Sequence, residues 1–361
     1  MELDKRNQEI LLKEPEISVE PLYDILQNCS EGFKNFCLLN SSIDLGIFDQ
    51  LDCPKTVDEL SVELKVEPSL TLQVLECLEK LGLVRQEADF YQNTPISQTY
   101  LTNSSPLAQH NVIENLFNSL KVWERLSEIL KHGPILASED KFFANNLIHS
   151  LAEEALCGEL QRTVKTVQEL SEFKNAKTLL DLGGGHGLYA TAFTKANPGL
   201  VADVYDFPNV VKDTKKYLDK HCADRVGIIP GNYFTDQIEK KYDIIFFAYN
   251  PGGKKPELVP KIYESLNEGG IFISKHCFYS EDEKSKDLLL DLEWNLVAFE
   301  GAPKQSRIYS FQGDLGLEEY LDLLKKYFTI QNIIEAPAFA GKGLSKVGDA
   351  LDSKIIIAKK Y

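Results

Sequence analysis

Two aspartates and a cluster of glycines carry the chemistry most legible in this chain. Asp181 lies inside Thr178-Leu-Leu-Asp-Leu-Gly-Gly-Gly-His-Gly187, and Asp206 closes Val201-Ala-Asp-Val-Tyr-Asp206 about one β-α unit later. A carboxylate at the carboxyl end of a parallel strand sits where open α/β sheets bind ligands. One that closes the next strand is placed to accept from two ribose hydroxyls. Gly183, Gly185 and Gly187 let the backbone turn tightly and come close to a ligand. Together these residues are suited to hold a nucleoside. His186 stands inside the same loop, where a side chain on a tight turn reads as a spacer rather than a catalyst.

These residues need a sheet to position them. Lys177 to Leu182 is short, apolar and ends in glycines, which predicts a buried parallel strand with a helix starting near Leu188. Pro208 is expected in the first turn of the next helix. Further strands are predicted over 226–230, 243–249 and 270–276, with a closing hairpin over 328–336 and 353–360. Residues 282–300 read as one long amphipathic helix carrying Trp294 and Phe299 over a substrate pocket. The connection 338–352, with Gly341, Gly343 and Gly348, is long enough to read as a lid or a disordered segment.

The glycine spacing chooses between cofactors. A dinucleotide fingerprint wants G-x-G-x-x-G with a helix N-terminus facing a pyrophosphate, and its third glycine would fall at Leu188. The acid-x-G-x-G-x-G spacing instead resembles motif I of class I S-adenosylmethionine-dependent methyltransferases. That cofactor has no phosphate, and its cationic methionine end suits a carboxylate such as Asp181.

The front of the chain reads as short helices and a hairpin. An apolar helical pattern from Leu38 to Leu51 ends near Cys53-Pro54, Thr56-Val-Asp-Glu59 carries a capping-box signature, and 68–81 supplies another helix. Leu83-Val-Arg and Phe90-Tyr-Gln-Asn look like the strands of a wing. A winged helix suggests DNA, but residues 36–100 hold four Lys or Arg against eleven acids. A phosphate-reading surface should be basic, so this module is expected to pack or dimerise.

Taken in order, Leu45-Gly-Ile-Phe-Asp, Val57-Asp-Glu-Leu, Leu78-Glu-Lys-Leu-Gly-Leu-Val, Asp181-Leu-Gly-Gly-Gly-His-Gly, Asp206-Phe-Pro, Gly231-Asn-Tyr-Phe and Asn267-Glu-Gly-Gly resemble the plant-type and hydroxyindole-type small-molecule O-methyltransferase family. The resemblance covers nearly the whole chain. It implies an α/β fold: a Rossmann-like class I methyltransferase domain, with a mostly parallel seven-stranded sheet and a terminal antiparallel hairpin, preceded by an α-helical winged-helix dimerisation domain. The expected division is 1–105 for that module, 106–170 for a helical linker roofing the substrate pocket, and 171–361 for the cofactor domain. An intertwined homodimer is implied, with helices from about 18–35 and 107–170 at its interface. The resemblance also implies cofactor contacts at Phe207, Gly231 and Ala248. Asn232 stands where the family usually has an acid near the adenine. Tyr233 or Phe234 could pack on the adenine face, ordinary core packing being the alternative.

Two departures from the family pattern matter. Relatives usually place a catalytic histidine after the fourth strand, whereas this chain reads Tyr249-Asn-Pro-Gly-Gly-Lys-Lys and puts Gly252 at that place. His276 stands at the end of the fifth strand, where relatives carry the acid that orients the histidine. A relocated base at His276 and a merely structural histidine are both open readings, with Tyr249 and Asn250 as further catalytic candidates. Asn250-Pro251 also weakly resembles a motif of amino-group methyltransferases. The acid expected before Arg307 is replaced by Ser306.

Bulk properties narrow the remaining classes. The 361 residues carry a net charge of −16, which argues against nucleic acid or an anionic membrane as partner. No apolar run reaches the ~18 residues of a membrane span, the charged N-terminus lacks a signal-peptide core, and seven cysteines without a C-x-x-C pair fit a reducing cytoplasm. The expected function is methyl transfer from S-adenosylmethionine, with S-adenosylhomocysteine as product and no metal, to a small aromatic or conjugated metabolite. Two alternatives stand beside it: cofactor-dependent chemistry without methyl transfer, such as decarboxylation, hydroxylation or a pericyclic step, and non-catalytic cofactor sensing.

Overall fold

The computed structural model describes residues 10–142, 147–250, 252–279, 285–305, 310–336 and 353–361. The chain divides into two compact units, Met1–Ala108 and Gln109–Tyr361. The connection 338–352, Pro251, Ser306 and Arg307 lie outside the described residues.

In the first unit a helix over Glu20–Asp44 stops where Gly46, at φ +74°, turns the chain into the short helix Ile47–Gln50. The capping box forms as its residues predict: the Glu59 amide donates to Thr56 Oγ1 at 3.3 Å, and the Thr56 amide donates to Glu59 Oε2 at 2.8 Å. That cap starts Val57–Leu64, and the helix Pro68–Lys80 follows. Strands β1 (Val84–Glu87) and β2 (Phe90–Asn93) pair antiparallel as the wing. Phe48, Leu60, Leu75 and Leu78 are buried together with Val84 and Tyr91.

The second unit begins with the helices His110–Glu124 and Leu126–His132 and the short strand β3 (Ile135–Ala137). A helical stretch follows: Ile148–Glu154, a π-helical turn over Ala155–Glu159, and Leu160–Gln168. The sheet then takes β4 (Thr178–Leu182), β5 (Val201–Asp206), β6 (Val226–Pro230), β7 (Tyr242–Ala248) and β8 (Leu266–Cys277). After β9 (Val297–Phe299) come β10 (Phe328–Glu335) and β11 (Ser353–Lys360). Its seven strands run in the order β10-β11-β8-β7-β4-β5-β6. The five strands β4 to β8 are parallel, and β11 joins β8 antiparallel and closes the hairpin with β10.

Alternate residues of each strand face opposite layers, so the central strands are apolar on both sides. Leu179, Ile244, Phe246 and Ile273 pack with Phe193 on one face; Leu180, Ile245, Phe247 and Phe272 pack with Ile262 and Tyr320 on the other.

Two helix expectations need correction. The helix after Asp206 begins at Val211, not Pro208. The Phe207 amide donates to Asp206 Oδ1 at 2.7 Å, and the turn that results delays the helix by three residues. The long helix expected over 282–300 is the shorter Leu288–Leu296, capped where Asp287 Oδ1 accepts from the Leu289 and Leu290 amides. It ends because Val297–Phe299 leaves it to pair in parallel with β3.

Candidate active site

A cleft with about 970 Å³ of space, its open mouth included, lies at the carboxyl ends of β4, β5 and β7. Its floor comes from the two segments that the sequence singled out. The turn after β4 sets Gly183, Gly185 and Gly187 at φ +64°, +50° and +71°, left-handed values that favour glycine. A Cβ on Gly183 would stand 2.2 Å from Asn250 Nδ2, whereas Gly185 has open space in that direction. Gly187 stands behind the cleft wall: it opens the helix Leu188–Ala196, where a Cβ would press on Thr214, Leu218 and Val204 at 3.1–3.2 Å.

Asp206 fastens this turn. Its Oδ2 accepts the Gly185 amide at 2.8 Å, and its Oδ1 accepts the Phe207 amide. Burial pushes its carboxyl up to about 6 despite these two donors. Asp181 is buried beneath the loop, its Oδ2 taking the Ala190 amide at 3.2 Å, and burial pushes it up to about 7. His186 also touches the cleft. Its Nδ1 accepts the Leu188 amide at 3.1 Å, and burial lowers the ring to about 4, so it is neutral at pH 7.

Phe207, Tyr233, Ala248, Tyr249 and Asn250 complete the wall among the residues expected from the sequence. The Tyr233 hydroxyl donates to Asn250 Oδ1 at 2.5 Å, which fixes that amide against the glycine turn. Tyr249 adopts φ +53°, a strained value for a non-glycine residue at the end of β7. Ile148, Leu151 and Ala155 form the roof.

Other expected residues stand elsewhere. Gly231 and Asn232 are not on the cleft wall: a Cβ on Gly231 would meet Tyr205 Oη at 2.2 Å, and Asn232 Oδ1 is taken by the Phe234 amide in a local turn. Phe234 packs on Tyr233, at 4.7 Å between ring centres, rather than on the wall. Trp294 and Phe299, expected over the substrate, are not on this wall and are buried in an aromatic cluster with Phe311. The Lys304 ammonium clips that cluster by donating to the carbonyls of Trp294 at 2.6 Å and Val297 at 2.7 Å.

His276 is likewise absent from the cleft wall, so the reading of it as a base that reaches substrate is not met by its placement. It is 2% exposed, lies edge-on to Phe247 and Phe278, and is backed by Gly253, where a Cβ would stand 2.8 Å from its Nε2. Among the described residues its Nε2 has no hydrogen-bond partner, and burial holds the ring well below the usual histidine range.

Sequence reasoning missed several groups on the wall, the carboxylates Glu139, Glu154 and Glu159 among them. Glu159 reaches the cleft from the π-helical turn and pairs with the fully buried Lys275 of β8. The signal was a lysine near the end of that strand, in Ile271-Phe-Ile-Ser-Lys-His276.

The wall is carboxylate-rich among the described residues, with no lysine or arginine on it, and the open space at Gly185 admits a ligand against the backbone. Both features suit a nucleoside with a cationic tail. Comparison with known proteins decides the family. An O-methyltransferase domain matches residues 144–310, and an O-methyltransferase dimerisation domain matches residues 28–103. An uncharacterized protein of Methanocaldococcus jannaschii is 37% identical, over 97% of this chain and 100% of its own length. The chain belongs to the O-methyltransferase family.

This O-methyltransferase-family enzyme is a S-adenosylmethionine-dependent methyltransferase of the small-molecule kind. The acetylserotonin O-methyltransferase of Gallus gallus is 27% identical over 72% of the chain and 81% of its own length. The crystal structure of human N-acetylserotonin methyltransferase in complex with SAM has the same fold, with a TM-score of 0.68 at 19% identity, covering 97% of this chain and 99% of that one. Among the described residues no group of three or more His, Cys, Asp or Glu is arranged to hold a metal ion, and no helix is long and apolar enough to cross a membrane.

Proposed function

We propose that this enzyme methylates a small aromatic or conjugated metabolite as a homodimer, and does so without a histidine base. The observation that carries the second part is the packing of Gly252. It is buried, and a Cβ there would stand 2.6 Å from Phe234 Cζ and 3.6 Å from Phe311. A side chain at the place of the family's histidine would therefore have to displace the Phe234 ring, and His276 is walled off behind Gly253.

When bound, S-adenosylmethionine supplies a methyl group on a sulfonium, an electrophile that needs no activation by the protein. The residues of this chain then have three tasks. Gly183, Gly185 and Asp206 hold the nucleoside, with Asp206 accepting from the ribose. Tyr233 fixes the Asn250 amide, and Tyr249 shapes the wall beside it. Ile148, Leu151 and Ala155 cover the cleft and exclude water. Alignment of two reactants supplies effective molarities of ~10⁵–10⁸ M, whereas a general base adds about 10²–10⁴-fold. An acceptor already ionised, or easily ionised to solvent, loses little without the base. A phenol of low pKa, a thiol or a stabilised carbon nucleophile meets that condition.

The dimerisation domain and the exposed apolar side chains Leu22, Tyr23, Ile25 and Leu26 of the helix Glu20–Asp44 support a homodimer. The acceptor reading is tested with a series of acceptors of graded acidity in a methyl-transfer assay. Rates should follow acceptor ionisation and survive His276→Asn. Fast transfer to an unactivated aliphatic alcohol, abolished by His276→Asn, would contradict it.

A further inference from the structure

Glu159 sits at the end of the π-helical turn Ala155–Glu159, beyond Gly158 at φ +116°. Such a turn re-aims the side chains that follow it, and is frequent at functional sites. Here Glu159 comes to the cleft wall with its side chain 17% exposed. One oxygen is fully engaged: Oε1 accepts the Tyr189 hydroxyl at 2.7 Å and the Lys275 ammonium. Lys275 is completely buried, and its Nζ also reaches Thr163 Oγ1 at 3.0 Å and Tyr189 Oη at 3.2 Å. The same ammonium stands 4.5 Å from the ring centre of Tyr249. Among the described residues none donates to the second oxygen, Oε2.

Burying an ammonium with its carboxylate costs desolvation that the pair recovers only with fixed geometry and further hydrogen bonds. That geometry is present, and its effect is to hold one carboxylate oxygen still while the other meets the cleft. Sheet order says what the other oxygen would meet. Asp206 ends β5, the glycine turn follows β4, Tyr249 and Asn250 follow β7, and Lys275 lies near the end of β8, in the order β8-β7-β4-β5. A ligand with its ribose at Asp206 that lies along the glycine turn carries its far end toward β7 and β8, beneath Glu159. Asp181, the carboxylate expected from the sequence to serve the cationic end, lines the cleft with Glu139 and Glu154 but is held beneath the glycine turn. It is 2% exposed, a Cβ on Gly184 would stand 2.6 Å from its carboxyl carbon, and it ties the loop to the Ala190 amide.

We infer that Glu159, held by Lys275 and Tyr189, receives the ammonium group of the cofactor's amino-acid tail. The inference rests on the S-adenosylmethionine reading of the cleft, which binding of S-adenosylhomocysteine to the parent enzyme checks separately.

The test is calorimetry with S-adenosylhomocysteine and its deaminated analogue, in which hydrogen replaces the amine and the rest of the tail is kept. The full-length parent, Glu159→Gln and Glu159→Gln/Lys275→Met are compared. The double variant removes the ammonium that the single one strands, which guards against a folding defect. In the parent, deamination should weaken binding roughly 10- to 150-fold, the range of a charged hydrogen bond. In both variants that preference should disappear, through weaker binding of S-adenosylhomocysteine alone. A preference retained in both variants would overturn the inference, whether the two ligands weaken together or neither changes. In the second case the carboxylate would belong to the acceptor side of the cleft.

Discussion

Asp206 Oδ2 takes the amide of Gly185 at 2.8 Å, so the residue that closes β5 also fastens the glycine turn that follows β4. One carboxylate therefore shapes the floor of the cleft and, on the function proposed above, also accepts from the ribose. Replacing Asp206 by Ala removes both functions. Cofactor binding should weaken by about 1.5–3 kcal/mol, the range of a charged hydrogen bond, as read by calorimetry with S-adenosylhomocysteine. Unchanged affinity would mean that the ribose is held elsewhere.

The same carboxylate makes binding depend on pH. Burial raises Asp206 to about 6, and a ribose hydroxyl donates more strongly to the ionised form. Affinity for S-adenosylhomocysteine should rise as pH increases from 5 to 7. In Asp206→Asn the component centred near 6 should vanish, and an identical pH profile in parent and variant would assign the dependence to another group.

Asp181 gives a stability test of opposite sense. Its carboxyl is raised to about 7 in the fold, above its ordinary value, so the fold favours the protonated form. That contribution is complete below the ordinary carboxyl range and is lost as pH rises through about 7. Asp181→Asn cannot ionise. In thermal melts without ligand, the variant should gain on the parent from pH 4 to about pH 7 and then level off. A constant gap between the two across that range would show that Asp181 is not held in this way.

Gly252 tests the absence of a base through packing. Gly252→Ala should cost about 1–3 kcal/mol, as overpacking of a filled core does, because its Cβ meets Phe234 at 2.6 Å. Gly252→His should lower the melting temperature further and not raise turnover. A stable Gly252→His enzyme that works faster than the parent would show that the site accepts a histidine.

The sequence made the floor of the cleft legible because glycine and aspartate there act locally. Left-handed turns need glycine, and an aspartate at a strand end needs only its own strand to be aimed. The sheet was equally legible from short apolar runs. Glu159 and Lys275 were not, since 116 residues separate them and their meeting depends on a π-helical turn with no simple periodic signature. Trp294 and Phe299 stand apart from the cleft described above. An aromatic residue on an amphipathic stretch looks the same whether it lines a cavity or packs in a cluster, and here both residues pack with Phe311. The shortened helix at Leu288–Leu296 has a related cause: pairing with β3 overrode a helical pattern that the residues themselves support.

The most direct measurement is transfer of an isotope-labelled methyl group from S-adenosylmethionine into a small-metabolite extract, with parent enzyme and Asp206→Ala compared at limiting cofactor. The expected result is label in a low-molecular-weight product with the parent and a large loss of label with the variant. Product formation without label, or cofactor binding with no turnover of any metabolite, would contradict a small-molecule methyltransferase working through this cleft.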